Sequence, residues 1–435
     1  LTITSGSGTV LFSNTVGAAN ALGDLSINAS AGSGTITFSS TIGDAGNAGT
    51  SGTTAIGNTA TADLNFNAAT YSFDGATTIT AASGDTIDMG AGAATTFTTA
   101  ADNITFATGN IELANGSNLT VDTGAAGGNI TIGEIGGTSV ETVTLDAGTG
   151  TTSVGVIGSG TEIGALSIGS AENGGITLNG AITTDGVVTL DGPITLATGA
   201  ITIATSDNAI NLQGTVDGGQ ALTLSSGSAA ITADGAIGSS TALTSLTVNS
   251  SGAGTIEITD IGTSSAAGVS GATAIGNTST GTLTLDGTVY TTTGSQTYTA
   301  ATGGGNIDIT NTSGSTFTTT NAAIAFNTSG VDLANNATTT IDTGTAAGDV
   351  TFQGAIETNG SDNDILTVTS GTGTVTFTGA IGATEELGGL NVNASSGNGV
   401  ITFTSTIGDS GNAGVIGTTS IGNAATSDLN FNSTI

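Results

Sequence analysis

Residues Leu1–Asn67 align without a gap on Leu366–Asn432, and about two thirds of the positions are identical. A chain that copies itself this closely is built from stacked repeats of one small unit, each too small to fold alone. The segment GTITFSSTIGDAGNAGTSGTTAIGN, ending at Asn58, returns as GVITFTSTIGDSGNAGVIGTTSIGN, ending at Asn423. A third copy begins at Leu222, and its match to the first extends through Tyr71/Tyr290, Phe97/Phe317, Phe106/Phe326 and Thr123/Thr343. A diverged half-copy starts near Val143. The chain thus reads as one continuous array over 1–435, with modules 1–142, 143–221 (partial), 222–365 and 366–435 (truncated).

A shorter period lies inside the module. A triplet of the form L-x-(I/V/F/L) recurs at Leu25-Ile27, Leu64-Phe66, Leu119-Val121, Val143-Leu145, Leu166-Ile168 and Val188-Leu190, and again in the later copies. The common step is roughly one solenoid coil, about 22 to about 25 residues. Some steps are half as long again, and two of those contain the segment GDAGNAGTSGTTAIG (Gly43–Gly57) or its counterpart, which suggests loops inserted in an otherwise regular coil. Each triplet alternates apolar and small polar residues, so Leu25 and Ile27 share one face and Ser26 takes the other. Similar short strands fill the gaps, punctuated by Gly, Asn, Asp and Ser. No stretch shows sustained helical periodicity. Asn28, Asn249 and Asn393 hold equivalent places after the triplet, as corner or ladder residues would.

A coil of about 23 residues with about three short strands is the rung of a parallel β-solenoid. The expected fold is therefore all-β, a right-handed parallel β-helix of about 18–19 rungs at ~4.8 Å per rung. One rung turns about four or five apolar side chains inward, worth about 1.5–3 kcal/mol each. Ordering the same rung costs about 1.5 kcal/mol per residue. The deficit means that a rung persists only against its neighbours.

Composition removes most other functions. The chain has no Lys, Arg, His, Cys or Trp, one Pro (Pro193) and one Met (Met89), while 33 Asp and Glu leave a formal charge of −33. Nucleic-acid binding needs cationic side chains to neutralise phosphate and is excluded. Disulfides, Cys/His metal sites and catalysis by His, Lys or Cys are excluded as well. No apolar run is long enough to insert in a membrane as a helix. The start, Leu1-Thr2-Ile3-Thr4, is neither an initiator Met nor a signal peptide, so the chain reads as mature or as an excerpt of a longer protein.

The wording of GTVDGGQALTLSSGSAAITADGAIGSSTALTSLTVNSSG (Gly214–Gly252) and TTTGSQTYTA (Thr291–Ala300) resembles the filamentous-haemagglutinin-like bacterial surface repeat proteins. That resemblance covers nearly the whole chain. It implies a secreted, right-handed β-helix at a bacterial cell surface or in an extracellular matrix, in a family that includes adhesins and very long exoproteins. The complete lack of Lys and Arg departs from typical members.

Carboxylates are the remaining acid–base groups. Asp85 with Asp88, Asp362 with Asp364, and Glu385 with Glu386 are the adjacent pairs. A glycosidase needs two carboxyls facing each other across a sugar, but the cationic and aromatic residues that usually surround the sugar are missing or scarce, so no catalytic residue is assigned and the chain reads as a non-enzyme. Calcium takes oxygen ligands only. Asp44 in GDAGNAG and Asp409 in GDSGNAG are the leading candidates, followed by Asp362 and Asp364 in SDND. The third copy carries Thr263 where Asp44 stands, and the tandem nonapeptide of calcium-binding β-rolls is missing. No cofactor is required on this reading, and calcium or another divalent cation is the one that the residues would accept.

The function expected from these residues is structural: an extracellular filament, sheath or matrix fibre extended by end-to-end self-association. The alternative is the stalk or receptor-binding segment of a giant secreted adhesin, with loops such as Gly43–Gly57 offered to a glycan or protein receptor.

Overall fold

The computed structural model describes residues 1–433 apart from 29–30, 45, 91, 170–173, 251, 361–362, 394–398 and 425. The described residues contain no helix. Short strands pair in parallel with the strand one turn earlier and one turn later, forming a β-solenoid of about 17 turns. The count falls below 18–19 because several turns exceed the common step. Ile3 pairs with Ile27, a turn of ordinary length, but Ile27 pairs with Ile56, a longer one. The chain divides into two compact units, Leu1–Gly214 and Thr215–Ile435.

In the first unit three columns of inward side chains form the core. One runs Ile27–Ile56–Ile79–Phe106–Ile132–Val154–Leu178–Leu196. A second begins Phe12–Phe38–Phe66–Met89–Leu113. The third runs Ile42–Tyr71–Phe97–Val121–Leu145–Ile168–Leu190–Leu212. The turn beginning at Leu25 buries Leu25, Ile27, Ile36, Phe38 and Ile42 at 1% exposure or less, within the expected inward complement.

The second unit has the same plan. Its aromatic column is Tyr298–Phe326–Phe352–Phe377–Phe403–Phe431, and another column runs Tyr290–Phe317–Ile341–Val368–Val392–Ile421. The third runs Ile256–Leu283–Ile307–Val331–Ile356–Ile381.

The register changes the meaning of the long triplet steps. Leu25-Ile27 and Leu64-Phe66 do not stack on one another. Leu25-Ile27 is followed in its column by Thr54–Ile56, whereas Leu64–Phe66 covers Ile36–Phe38 on a different face. The loop within Gly43–Gly57 lengthens its turn only modestly relative to the turn before it. The rest of the long step is a move from one face to another.

The repeat copies shift faces in the same way. In the second unit Leu222–Leu224 belongs to the aromatic column, while its copy Leu366–Val368 belongs to the column of Tyr290. Six turns carry Leu224 to Phe377, but its copy is Val368. The shortfall from Phe377 back to Val368 is the length of a short strand and a corner, so the later copy sits one face back.

Corners follow from backbone freedom and close approach. Asn28 adopts φ 49°, fully buried, and its side chain bonds Ser5 on the turn below: Ser5 N donates to Asn28 Oδ1 (2.8 Å) and Asn28 Nδ2 to Ser5 Oγ (3.0 Å). Asn249 and Asn393 instead extend their strands by one outward residue, so the equivalent positions do different work. At Gly379 a Cβ would meet the Gly354 backbone at 2.2 Å, which leaves glycine as the residue that fits. One strand is longer than expected: Ile104–Leu113 has ten residues because it turns a corner between two columns at Gly109 (φ 88°).

Candidate functional site

The loops that carry Asp44 and Asp409 are built alike. Asp44 N donates to Asn47 O (2.9 Å), and Asp44 Oδ1 accepts from the amides of Gly46 (2.9 Å) and Asn47 (2.9 Å). Asp409 N donates to Asn412 O (2.9 Å), and its Oδ1 accepts from the amides of Gly411 (2.6 Å) and Asn412 (2.9 Å). This is an Asx turn, in which a short side chain closes its own loop. Hydrogen bonds from Gly46 and Gly411 lead the effects that hold both carboxyls below the usual Asp value, although both side chains are exposed.

Thr263 fits the same frame. Its Oγ1 accepts from the amides of Ser265 (3.3 Å) and Ala266 (3.0 Å), and its N donates to Ala266 O (2.8 Å). The position needs one oxygen acceptor on a short side chain, a requirement that Asp and Thr both meet and that calls for no charge.

The other calcium candidates fall elsewhere. Asp362 lies outside the described residues. Asp364 is fully buried, its Oδ1 accepts from Asn336 N, and its carbonyl accepts from the amides of Gly388 (2.9 Å) and Gly389 (3.2 Å). Glu141 has a similar role in the first unit, where it is fully buried and accepts from the amides of Gly116 (3.1 Å) and Thr138 (2.6 Å). Burial works to raise the Glu141 carboxyl, but its hydrogen bonds to Thr138 and Gly116 outweigh it and leave the group lowered. Among the described residues no three acidic side chains are gathered where one ion would sit.

The adjacent carboxylates each have separate surroundings. Glu386 Oε1 accepts from Ala413 N on the next turn, and the Glu385 amide donates to Glu357 Oε2 (2.9 Å). Asp88 turns toward Thr86, whose hydroxyl donates to its Oδ2 (3.0 Å), while the Asp85 carbonyl accepts from Asn110 N (3.1 Å).

What the register does bring together are carboxylates one full turn apart. Asp88 pairs with Glu112, and Asp308 pairs with Asp332, which pairs in turn with Glu357. These positions point outward on consecutive turns. Burial is the leading cause that raises all four of Asp88, Glu112, Asp308 and Asp332. Neighbouring charge adds to it: Asp63 on Asp88, Asp88 and Glu134 on Glu112, Asp308 and Glu357 on Asp332. Adjacency in the chain does not reveal these pairs. Their signal in the sequence is the one-turn spacing itself.

An open cleft of about 580 Å³ lies beside the Asp44 loop, lined by Asn20, Asp44, Asn47, Asp74, Thr98 and Thr99 among others. Phe73 borders it but is 1% exposed, so its ring offers no stacking platform there. No helix among the described residues is long and apolar enough to cross a membrane. No family model, no curated protein and no solved structure matches this chain.

Proposed function

We propose that this chain is a structural segment of an extracellular fibre, sheath or matrix, extended by turn-on-turn stacking that includes stacking of one copy on another. The observation that supports this reading is the aromatic column of the second unit. Phe326, Phe352, Phe377, Phe403 and Phe431 follow one another at 4.9, 5.3, 4.9 and 5.2 Å with interplanar angles of 4–8°. Phe12, Phe38 and Phe66 in the first unit repeat the motif at 4.9 and 5.3 Å. They are the internal copies of Phe377, Phe403 and Phe431. A turn therefore presents to its neighbour the surface that it would meet in another copy of itself. The resemblance to filamentous-haemagglutinin-like repeat proteins supports secretion and a bacterial cell-surface or matrix setting. Self-association is the partner interaction on this reading, no catalytic group or cofactor is assigned, and divalent cations act as counterions to the −33 charge. Electron microscopy of the purified chain is expected to show filaments with the ~4.8 Å axial repeat of stacked strands. Monodisperse short particles at high concentration would overturn it.

The adhesin alternative rests on the cleft beside the Asp44 loop, whose Asn, Asp and Thr lining suits polar ligands such as glycans. Deleting residues 43–49 is expected to abolish surface attachment on that reading and to leave filament formation intact on the first.

A further inference from the structure

We propose that the in-register carboxylate pairs Asp88–Glu112 and Asp308–Asp332 make this solenoid an acid-tightened structure, one whose turns gain stability when these pairs take up protons as pH falls. The inference concerns regulation of the fold and does not depend on the fibre reading.

The geometry comes from parallel pairing. A parallel ladder sets equivalent residues one strand spacing apart, ~4.8 Å, so like charges at paired positions stand directly above one another. Asp308 has Thr284 below it and Asp332 above it, and Glu257 lies one turn further down, paired with Thr284. Asp332 has Asp308 below and Glu357 above. Asp88 has Asn65 below and Glu112 above, with Asp63 near by. Glu112 is roofed by Gly136 and neighboured by Glu134. No cationic side chain answers any of these groups, because the chain contains no Lys, Arg or His.

Hydrogen bonds from Thr86 to Asp88 and from Asn306 to Asp308 and Asp332 oppose the effect of burial without cancelling it. Asn306 Nδ2 donates to Asp332 Oδ2, but Asp308 Oδ1 is enclosed and has no hydrogen-bond partner among the described residues. An ionised carboxylate with an enclosed, unpaired oxygen is costly, whereas its protonated form can donate to the neighbouring carboxylate. The arrangement is also repeated. Asp88 and Glu112 are the internal copies of Asp308 and Asp332, so the paired acids recur in both units with Glu and Asp exchanged.

The sign follows from linkage. Groups raised in the folded state bind more protons folded than unfolded, so stability increases as pH falls through the raised values toward the unfolded ones, 3.8 for Asp and 4.5 for Glu. The gain is then complete. Strongly interacting carboxylates titrate as a coupled pair and not as independent groups.

The test is thermal unfolding between pH 8 and pH 4.5 for three proteins. These are the wild type, the ladder variant D88N/E112Q/D308N/D332N, and a control, D74N/D102N/D185N/D234N, which removes the same charge from exposed sites. The wild-type and control midpoints are expected to climb as pH falls. The ladder variant is expected to start higher at pH 8 and to climb less. Ladder and control curves of equal slope would overturn the proposal, since the effect would then be net charge alone. Should the ladder variant fail to fold, carboxyl ¹³C titration of the wild type decides. A subset of carboxyls titrating above the ordinary Asp and Glu range supports the proposal, and uniform titration within that range overturns it.

Discussion

At the scale of single residues, Asp44 and Asp409 each close their own loop through backbone amides. The two oxygen-acceptor types found at this position, Asp and Thr, close the same loop through the same backbone amides. Asp409→Thr is therefore expected to preserve the loop, and Asp409→Ala to speed hydrogen exchange at the amides of Gly411 and Asn412. Equal exchange in both variants would return the carboxylate to a different role. Core threonines give a second prediction. Thr152 is fully buried and its hydroxyl has no hydrogen-bond partner among the described residues. Thr152→Val keeps the shape and removes the unmet polar group, so stability is expected to rise by about 1–3 kcal/mol in urea unfolding. A lower midpoint would mean that the hydroxyl is satisfied by water.

At the scale of strands and turns, stacking of like on like carries the stability. Phe377 is 1% exposed and lies between Phe352 and Phe403 at 5.3 and 4.9 Å. Phe377→Ala is expected to cost about 3–5 kcal/mol from the lost side chain and the cavity left behind. Phe377→Leu is expected to cost less, because most of the volume stays. Equal losses would assign the effect to the ring geometry and not to burial. The strands themselves were legible in the alternation of residues such as Leu25-Ser26-Ile27, because period two is a local property. Their assignment to faces was not. Leu25 and Leu64 carry the same triplet signal, yet they stand in different columns. Identical local patterns satisfy any face equally, and chain length between strands decides among them.

At the scale of the whole molecule, 33 acidic residues without a cationic side chain set the response to solution conditions. Screening shortens from about 30 Å at 0.01 M to about 8 Å at 0.15 M ionic strength. Added NaCl over that range is therefore expected to raise the thermal midpoint, and a salt-independent midpoint would refute dominance by self-repulsion. Acid acts in two directions. The lowered groups Asp44, Asp409 and Glu141 contribute stability above their unfolded values of 3.8 and 4.5 and lose it as pH falls through their folded ones. The raised ladder acids act oppositely and gain stability down to those same unfolded values, so the stability optimum is expected close to the ordinary carboxylate range of 3.8 to 4.5.

Repetition, strand alternation and the absence of cationic side chains can be read from the order of residues alone, and they lead to a stacked all-β chain with no helix. Those properties are local or additive, and each residue carries its share without reference to distant ones. The partners across turns cannot be read in that way. Whether Asp88 meets Asp85 or Glu112, and whether Thr263 can replace Asp44, depends on a register that is set when inward side chains of successive turns pack together. A small shift in the length of a turn moves every outward group to a new neighbour, and packing of the core selects one of these arrangements.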